Sequence, residues 1–334
     1  MADQLPRVVV THWVHPEVVR YLSQFCDPLV PFQENAVLPA ADVATLAQDA
    51  EGLIACPADR VDDGFLARCP RLRVVAATLK GYDNFDAAAC ARRGVWLTIV
   101  PGAVIPPTAE LAVGLILGLM RRAGEGDRLV RSSGFAGWRP QLYGTSLAGA
   151  TVGVAGMGAL GQAIAALLRG FGPRIVYHDQ RALLPERERE LAATRLGLAG
   201  LMAESEVIVV TLPLTPQTRG LLDAGMLRLA RPGAFVVNVG RGSVVDEEAV
   251  ADALARERLG GYAADVFAME DWATPGRPDQ IPARLLAHPR TLFTPHLGSA
   301  VDVIRRQMSL QSARQVQQAL AGETPENAVN RPDL

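Results

Sequence analysis

The chain has 334 residues, 49% of them hydrophobic and 20% charged, with 33 Lys+Arg set against 35 Asp+Glu. That length allows for about two compact domains. The net charge of −2 lacks the cationic excess that a nucleic-acid binder or a basic surface-bound protein needs. The apolar content is too high for a disordered chain.

Within the basic total stands a single lysine, Lys80; every other cation is an arginine. The N-terminal MADQLPRVVVTH shows no charged-then-apolar leader, and the longest apolar run, Leu111 to Met120, is about half of a bilayer span. Cysteines 26, 56, 69 and 90 share no metal-ligand spacing and read as reduced thiols. A cytoplasmic protein with no membrane, nucleic-acid or metal partner is expected.

In chain order, Arg7–Thr11, Gly52–Ala55 and Arg73–Thr78 read as buried strands, separated by helical stretches such as His15–Phe25 and Ala40–Ala50. A long helix is expected to start at Thr108, after a stop at Pro106-Pro107, with Thr108 as its cap. Thr151–Ala155, Arg174–His178, Val207–Leu212, Ala234–Asn238, Tyr262–Val266 and Thr291–Thr294 continue the strand pattern, and a helix over about 300–321 follows. Strands apolar on both sides and separated by helices predict an α/β fold of two doubly wound parallel-sheet lobes. The expected division is 1–104 with 299–334 for substrate and 105–298 for a dinucleotide.

Gly156-Met157-Gly158-Ala159-Leu160-Gly161 is a GxGxxG that follows the strand TVGVA and opens a helix. The first glycine permits the tight turn, the second lets a pyrophosphate approach, and the third allows close helix–strand packing. The next strand ends at Asp179, where a carboxylate takes the ribose hydroxyls; this favours NAD over a phosphorylated ribose. Three later strand ends carry polar residues: Arg241 in NVGRGS, Glu270 after YAADVF, and His296 in TPHLGS. A fixed cation, a carboxylate partner and a general acid/base form a plausible catalytic set, because a Glu beside a His orients the imidazole and favours its charged form.

The order GMGALG, NVGRGSVVDEEAV, GGYAADVF with Glu270, then FTPHLGS resembles the NAD-dependent D-2-hydroxyacid dehydrogenases over nearly the whole chain. The resemblance implies a Rossmann NAD-binding lobe, a flavodoxin-like substrate lobe, a homodimer, and an active site in the interlobe cleft. It implies catalytic roles for Arg241, Glu270 and His296, and places Asp265 near the nicotinamide carboxamide. Further cofactor contacts implied are Thr108, Gln180 and Pro213, then Val239, Gly240 and Gly298.

Leu79-Lys80-Gly81-Tyr82-Asp83-Asn84-Phe85-Asp86 is unusual for that family, whose hydroxyacid members carry a small or apolar residue at the lysine's place. With FAGWRPQLYG and GYAADVFAMEDWA, it resembles the family's phosphite-oxidising members. That resemblance implies phosphite as the small anionic substrate, with Lys80 and Gly81 at its oxygens. It also places Trp138 and Tyr143 along the site, Tyr143 reaching in from a second subunit, and completes the anion pocket with Ser299 and Arg305. The rivals are a D-2-hydroxyacid dehydrogenase or glyoxylate/hydroxypyruvate reductase on the same scaffold, and a non-enzymatic NAD-sensing module. The second sits poorly with an intact Glu270 and His296.

Overall fold

Segments that are apolar on both faces become strands covered on both sides, as burial of their side chains requires. The computed structural model describes residues 5–31, 33–34 and 36–332, so the first four residues, read above for a leader, lie outside it. Two units emerge: Met1–Val104 with Trp272–Pro275 and Ala300–Leu334, and Ile105–Asp271 with Gly276–Ser299.

The first unit runs β1 (Arg7–Val10), α1 (Pro16–Leu22), β2 (Asp27–Leu29), α2 (Ala40–Leu46), β3 (Gly52–Ala55), α3 (Asp63–Arg68), β4 (Val74–Ala77), α4 (Ala87–Arg92) and β5 (Trp96–Thr98). Its five strands pair in the order β2-β1-β3-β4-β5, all parallel. This is the flavodoxin-like winding, whose chain direction reverses at β1/β3. Asp62 and Asp86 cap α3 and α4 by accepting the backbone N–H of Phe65 and Ala89, which fixes where each helix leaves its strand.

The second unit begins with α5 (Ile105–Met120) and α6 (Ala123–Arg131). It continues with β6 (Thr151–Ala155), α7 (Ala159–Leu168), β7 (Arg174–His178), α8 (Pro185–Leu191), β8 (Ala193–Arg195), α9 (Leu198–Glu204), β9 (Val207–Val210), α10 (Ala224–Leu229), β10 (Ala234–Asn238), α11 (Glu247–Ala255), β11 (Leu259–Ala264), α12 (Ala283–Ala287) and β12 (Thr291–Phe293). The strand order β12-β11-β10-β9-β6-β7-β8 is parallel throughout and is the Rossmann winding with one strand added. Ala112, Leu115, Ile116 and Leu119 of α5 pack into one core with Val154, Val209 and Val237. The closing helix α13 (Asp302–Leu320) packs on the first unit, where Ala313 and Val316 join Val8, Val10 and Val74.

One expectation needs correcting. The prolines at 106 and 107 do not stop the chain ahead of a helix; α5 starts at Ile105 and takes both into its first turn. Proline suits those positions because the N–H it lacks has no partner there. Thr108 therefore sits inside the helix and is not its cap. Among the described residues no helix is long and apolar enough to cross a membrane.

Candidate active site

The switch point of the second sheet lies between β6 and β9, and ligands of such sheets collect beyond the carboxyl ends of the strands there. Gly156 follows β6 at φ +101°, the left-handed region, where a side chain would also press on Thr211 Oγ1 at 2.8 Å. A Cβ on Gly161 would lie 2.1 Å from the Gly156 carbonyl oxygen, so α7 approaches its strand more closely than any larger residue allows. Gly158 is different: a Cβ there would meet nothing within 4 Å. It is the cap of α7 and offers no side chain to the first-turn amides, which Ala159 and Leu160 begin. Open space over uncapped amides at a positive helix end is what a pyrophosphate fits.

At the end of β7, Asp179 is half-buried. Its carboxylate accepts Met157 N–H at 2.7 Å and Arg181 N–H at 3.0 Å. Arg195 donates to the carbonyls of Asp179 and the exposed Gln180, fixing the ribose side of the cradle. Gly158→Ala is expected to leave the melting temperature unchanged and weaken NADH binding. Gly161→Ala is expected to cost about 1–3 kcal/mol of stability through overpacking. Calorimetry and NADH fluorescence titration separate the two effects, and equal stability losses would contradict the cradle.

Three further strand ends converge. After β10, Asn238 ties its own loop by donating to the Arg241 carbonyl and accepting Gly240 N–H. Gly240 and Val239 are buried; a Cβ on Gly240 would lie 2.6 Å from the Leu212 carbonyl, beside the exposed Pro213. The half-buried Arg241 donates to the Gly240 carbonyl. After β11, the 268–270 turn carries Glu270, whose Oε1 accepts Phe267 N–H at 2.9 Å. After β12, His296 takes φ +56°, unusual for a side-chain-bearing residue, and donates its N–H to the carbonyls of Asp265 and Thr294.

Glu270 Oε2 and His296 Nδ1 are 2.6 Å apart. One carboxylate oxygen is thus held by backbone and the other holds the imidazole, which leaves Nε2 for other chemistry. His296 keeps 38% of its side chain exposed, so that nitrogen is reachable.

Asp265 does more than the resemblance implied. It is buried, and its carboxylate accepts the Thr294 hydroxyl at 2.6 Å, Leu297 N–H at 2.7 Å and Gly298 N–H at 2.9 Å. Burial raises its pKa while these donors lower it. It holds the loop that puts His296 in place. Gly298 packs against Thr108 and Asp265, and Ser299 follows half-buried.

In the first unit the matching strand ends are pinned by Asp59, which accepts the Thr11 hydroxyl and Cys56 N–H across the β1/β3 switch point. Asn84 donates to the Pro57 carbonyl, joining that loop to the one after β4. Lys80 and Gly81 are half-buried in this second loop. Arg305, on α13, donates to the Thr78 carbonyl at 3.4 Å, and burial lowers its guanidinium from the ordinary value. Burial, with Arg305 nearby, pulls the His12 imidazole down to about 3.

Trp138 and Tyr143 are 82% and 76% exposed in a segment without helix or strand. The four cysteines are buried and form no disulfide. Among the described residues no cluster of His, Cys, Asp or Glu is placed to hold a metal. Sequence reasoning also passed over Glu247 and Asp271. Asp271 accepts Ser243 N–H at 2.8 Å, and Glu247 accepts Ala268 N–H at 2.8 Å. In DEEAV, Glu247 reads only as an ordinary first-turn acid, and its contact lies 21 residues away.

Residues 113–298 match the family model described as the D-isomer specific 2-hydroxyacid dehydrogenase NAD binding domain. Over 331 residues the chain is 36% identical to a glyoxylate reductase of Aeropyrum pernix, covering 98% of this chain and 96% of the relative. A glyoxylate reductase of Thermococcus litoralis is 31% identical, with 98% of each covered. Among solved structures, a protein of Thermus thermophilus superposes with a TM-score of 0.85 at 34% identity, covering 97% of this chain and 99% of that one. An NADPH-dependent glyoxylate/hydroxypyruvate reductase of Sinorhizobium meliloti, solved with NADP and malonate, gives 0.80 at 28% identity, covering 97% and 96%.

The chain belongs to the D-isomer-specific 2-hydroxyacid dehydrogenase family. It is an oxidoreductase that uses NAD, and the cradle at Gly156–Gly161 fits that cofactor.

Proposed function

We propose that this enzyme oxidises phosphite: phosphite + NAD⁺ + water → phosphate + NADH + H⁺. The observation that carries the reading is Lys80, the only lysine of the chain, half-buried where β4 ends. A tetrahedral oxyanion bearing nearly two charges calls for more compensation than a carboxylate does, and an ammonium is a compact point charge suited to it. Lys80, Gly81, Ser299 and Arg305 bind the oxygens, and Arg241 offsets charge that builds as water adds to phosphorus. NAD, when bound, supplies the hydride acceptor. His296, oriented by Glu270, takes the proton released.

The second reading is reduction of a 2-oxoacid such as glyoxylate, and the names of the relatives speak for it more directly than for phosphite. In it Arg241 holds the carboxylate and His296 protonates the carbonyl oxygen. Identity near one third carries the fold and cofactor chemistry, whereas substrate choice turns on a few side chains at strand ends. Lys80 stands at such an end.

A second copy of the chain is the proposed cover for Phe135, Trp138 and Tyr143, which are too exposed and too close in sequence for a lone surface. Four buried unpaired thiols support a reducing cytoplasm. Purified protein is to be mixed with NAD⁺ and phosphite, then with D-lactate or D-glycerate, and with NADH and glyoxylate, following NADH absorbance. Turnover of phosphite alone is expected; turnover of only the organic acids replaces this reading with the second.

A further inference from the structure

We infer that Glu247 is a positioning residue for the Glu270–His296 pair, acting through the backbone of the turn that carries Glu270. The inference rests on the catalytic role given to that pair above. Glu247 opens α11 and is 5% exposed. Its Oε1 accepts the N–H of Ala268, the first residue of the 268–270 turn, at 2.8 Å. From the same turn Glu270 reaches His296. Two residues of backbone therefore separate the Glu247 hydrogen bond from the carboxylate that orients the imidazole.

The other oxygen of this carboxylate, Glu247 Oε2, is buried and has no hydrogen-bond partner among the described residues. A buried carboxylate with one oxygen unsatisfied is costly when ionised and cheaper when protonated, since the acid form has a proton to donate. The charges that act on it come from Asp271 and Glu270, at the turn, and from Asp246, the cap of α11. Burial chiefly, then these charges, push the Glu247 carboxyl up from 4.5 to about 7, while the Ala268 N–H works against them.

The group thus changes charge within the neutral range. Below that range Glu247 is neutral and its hold on Ala268 N–H is that of a neutral acceptor. Above it the acceptor is ionised and the bond is roughly twice as strong. The turn, and with it Glu270, is held more firmly as pH rises through the transition.

Two variants read this out. Glu247→Gln keeps an acceptor for Ala268 N–H and removes the titration. Glu247→Ala removes both. In amide NMR of the full-length protein, the Ala268 and Glu270 signals are expected to move with a midpoint near pH 7 in the wild type and to stand still in the Gln variant. The wild-type kcat is expected to show a step at the same pH that the Gln variant lacks. Glu247→Ala is expected to lower kcat about tenfold above the transition, the loss of one such hydrogen bond, and by less below it, where the wild-type bond is weaker. NADH affinity stays unchanged, and the Gln variant recovers most of the activity.

Kinetics are read on whichever of phosphite or glyoxylate the enzyme turns over, so a failed phosphite assay overturns the substrate reading and leaves this one standing. Should the Ala variant not fold, the Gln variant and the amide titration decide alone. Wild-type Ala268 and Glu270 amides with no midpoint between pH 6 and 8, or a pH profile identical in wild type and Gln variant, overturn the inference.

Discussion

His296→Asn lowers kcat by about 10²–10⁴-fold on any substrate the enzyme accepts, with NADH affinity little changed. Asn fills similar space, so the loop tied to Asp265 through Leu297 and Gly298 stays in place. What is lost is the ring nitrogen opposite the one that Glu270 holds. Asn is also among the residues that tolerate the left-handed conformation found at position 296, which keeps backbone strain from confusing the result. Glu270→Gln produces a smaller fall, since the imidazole remains but loses its carboxylate partner. Steady-state kinetics beside NADH fluorescence titration checks both. Activity within threefold of wild type in the Asn variant removes His296 from the chemistry in either substrate reading.

Lys80→Met comes next, with kcat/KM on phosphite falling by about 30- to 4000-fold, the 2–5 kcal/mol typical of truncating one partner of a charged, desolvated contact. Met retains the length and the apolar stem, so packing around the half-buried stem survives. Lys80→Arg recovers activity only in part, because a planar fork does not replace a compact ammonium. Any residual turnover of D-glycerate or glyoxylate serves as the internal control and is unchanged or improved. A Met variant that oxidises phosphite at the wild-type rate ends the case for that substrate.

These two residues differ in how much of their setting the sequence displayed. Around Lys80 the signal was compositional: one ammonium among arginines, at the end of the run RVVAAT that became β4. The motif order placed His296 and Glu270 on strand ends, yet only the fold showed how tightly they are held. Glu270 is gripped by Phe267 N–H, and His296 sits on a loop pinned by a buried Asp265. Segments such as Thr151–Ala155 and Ala234–Asn238 were legible to the residue, since a strand apolar on both faces announces its own burial. By contrast β2, β5 and β8 were not seen. Each is three residues long at the edge of its sheet, too short for periodicity and defined only by the neighbour it pairs with.

By itself, then, the sequence determined a parallel α/β chain with a dinucleotide cradle, because strand burial and the glycine demands of a tight strand–helix turn are local consequences of side-chain size and polarity. Tertiary structure alone decided the rest. Setting Asp265 to hold the loop of His296 and placing Glu247 against the turn that carries Glu270 both depend on which strand lies beside which. Contacts of this kind join residues tens of positions apart, and no local pattern records them, because the partner supplies half of each interaction.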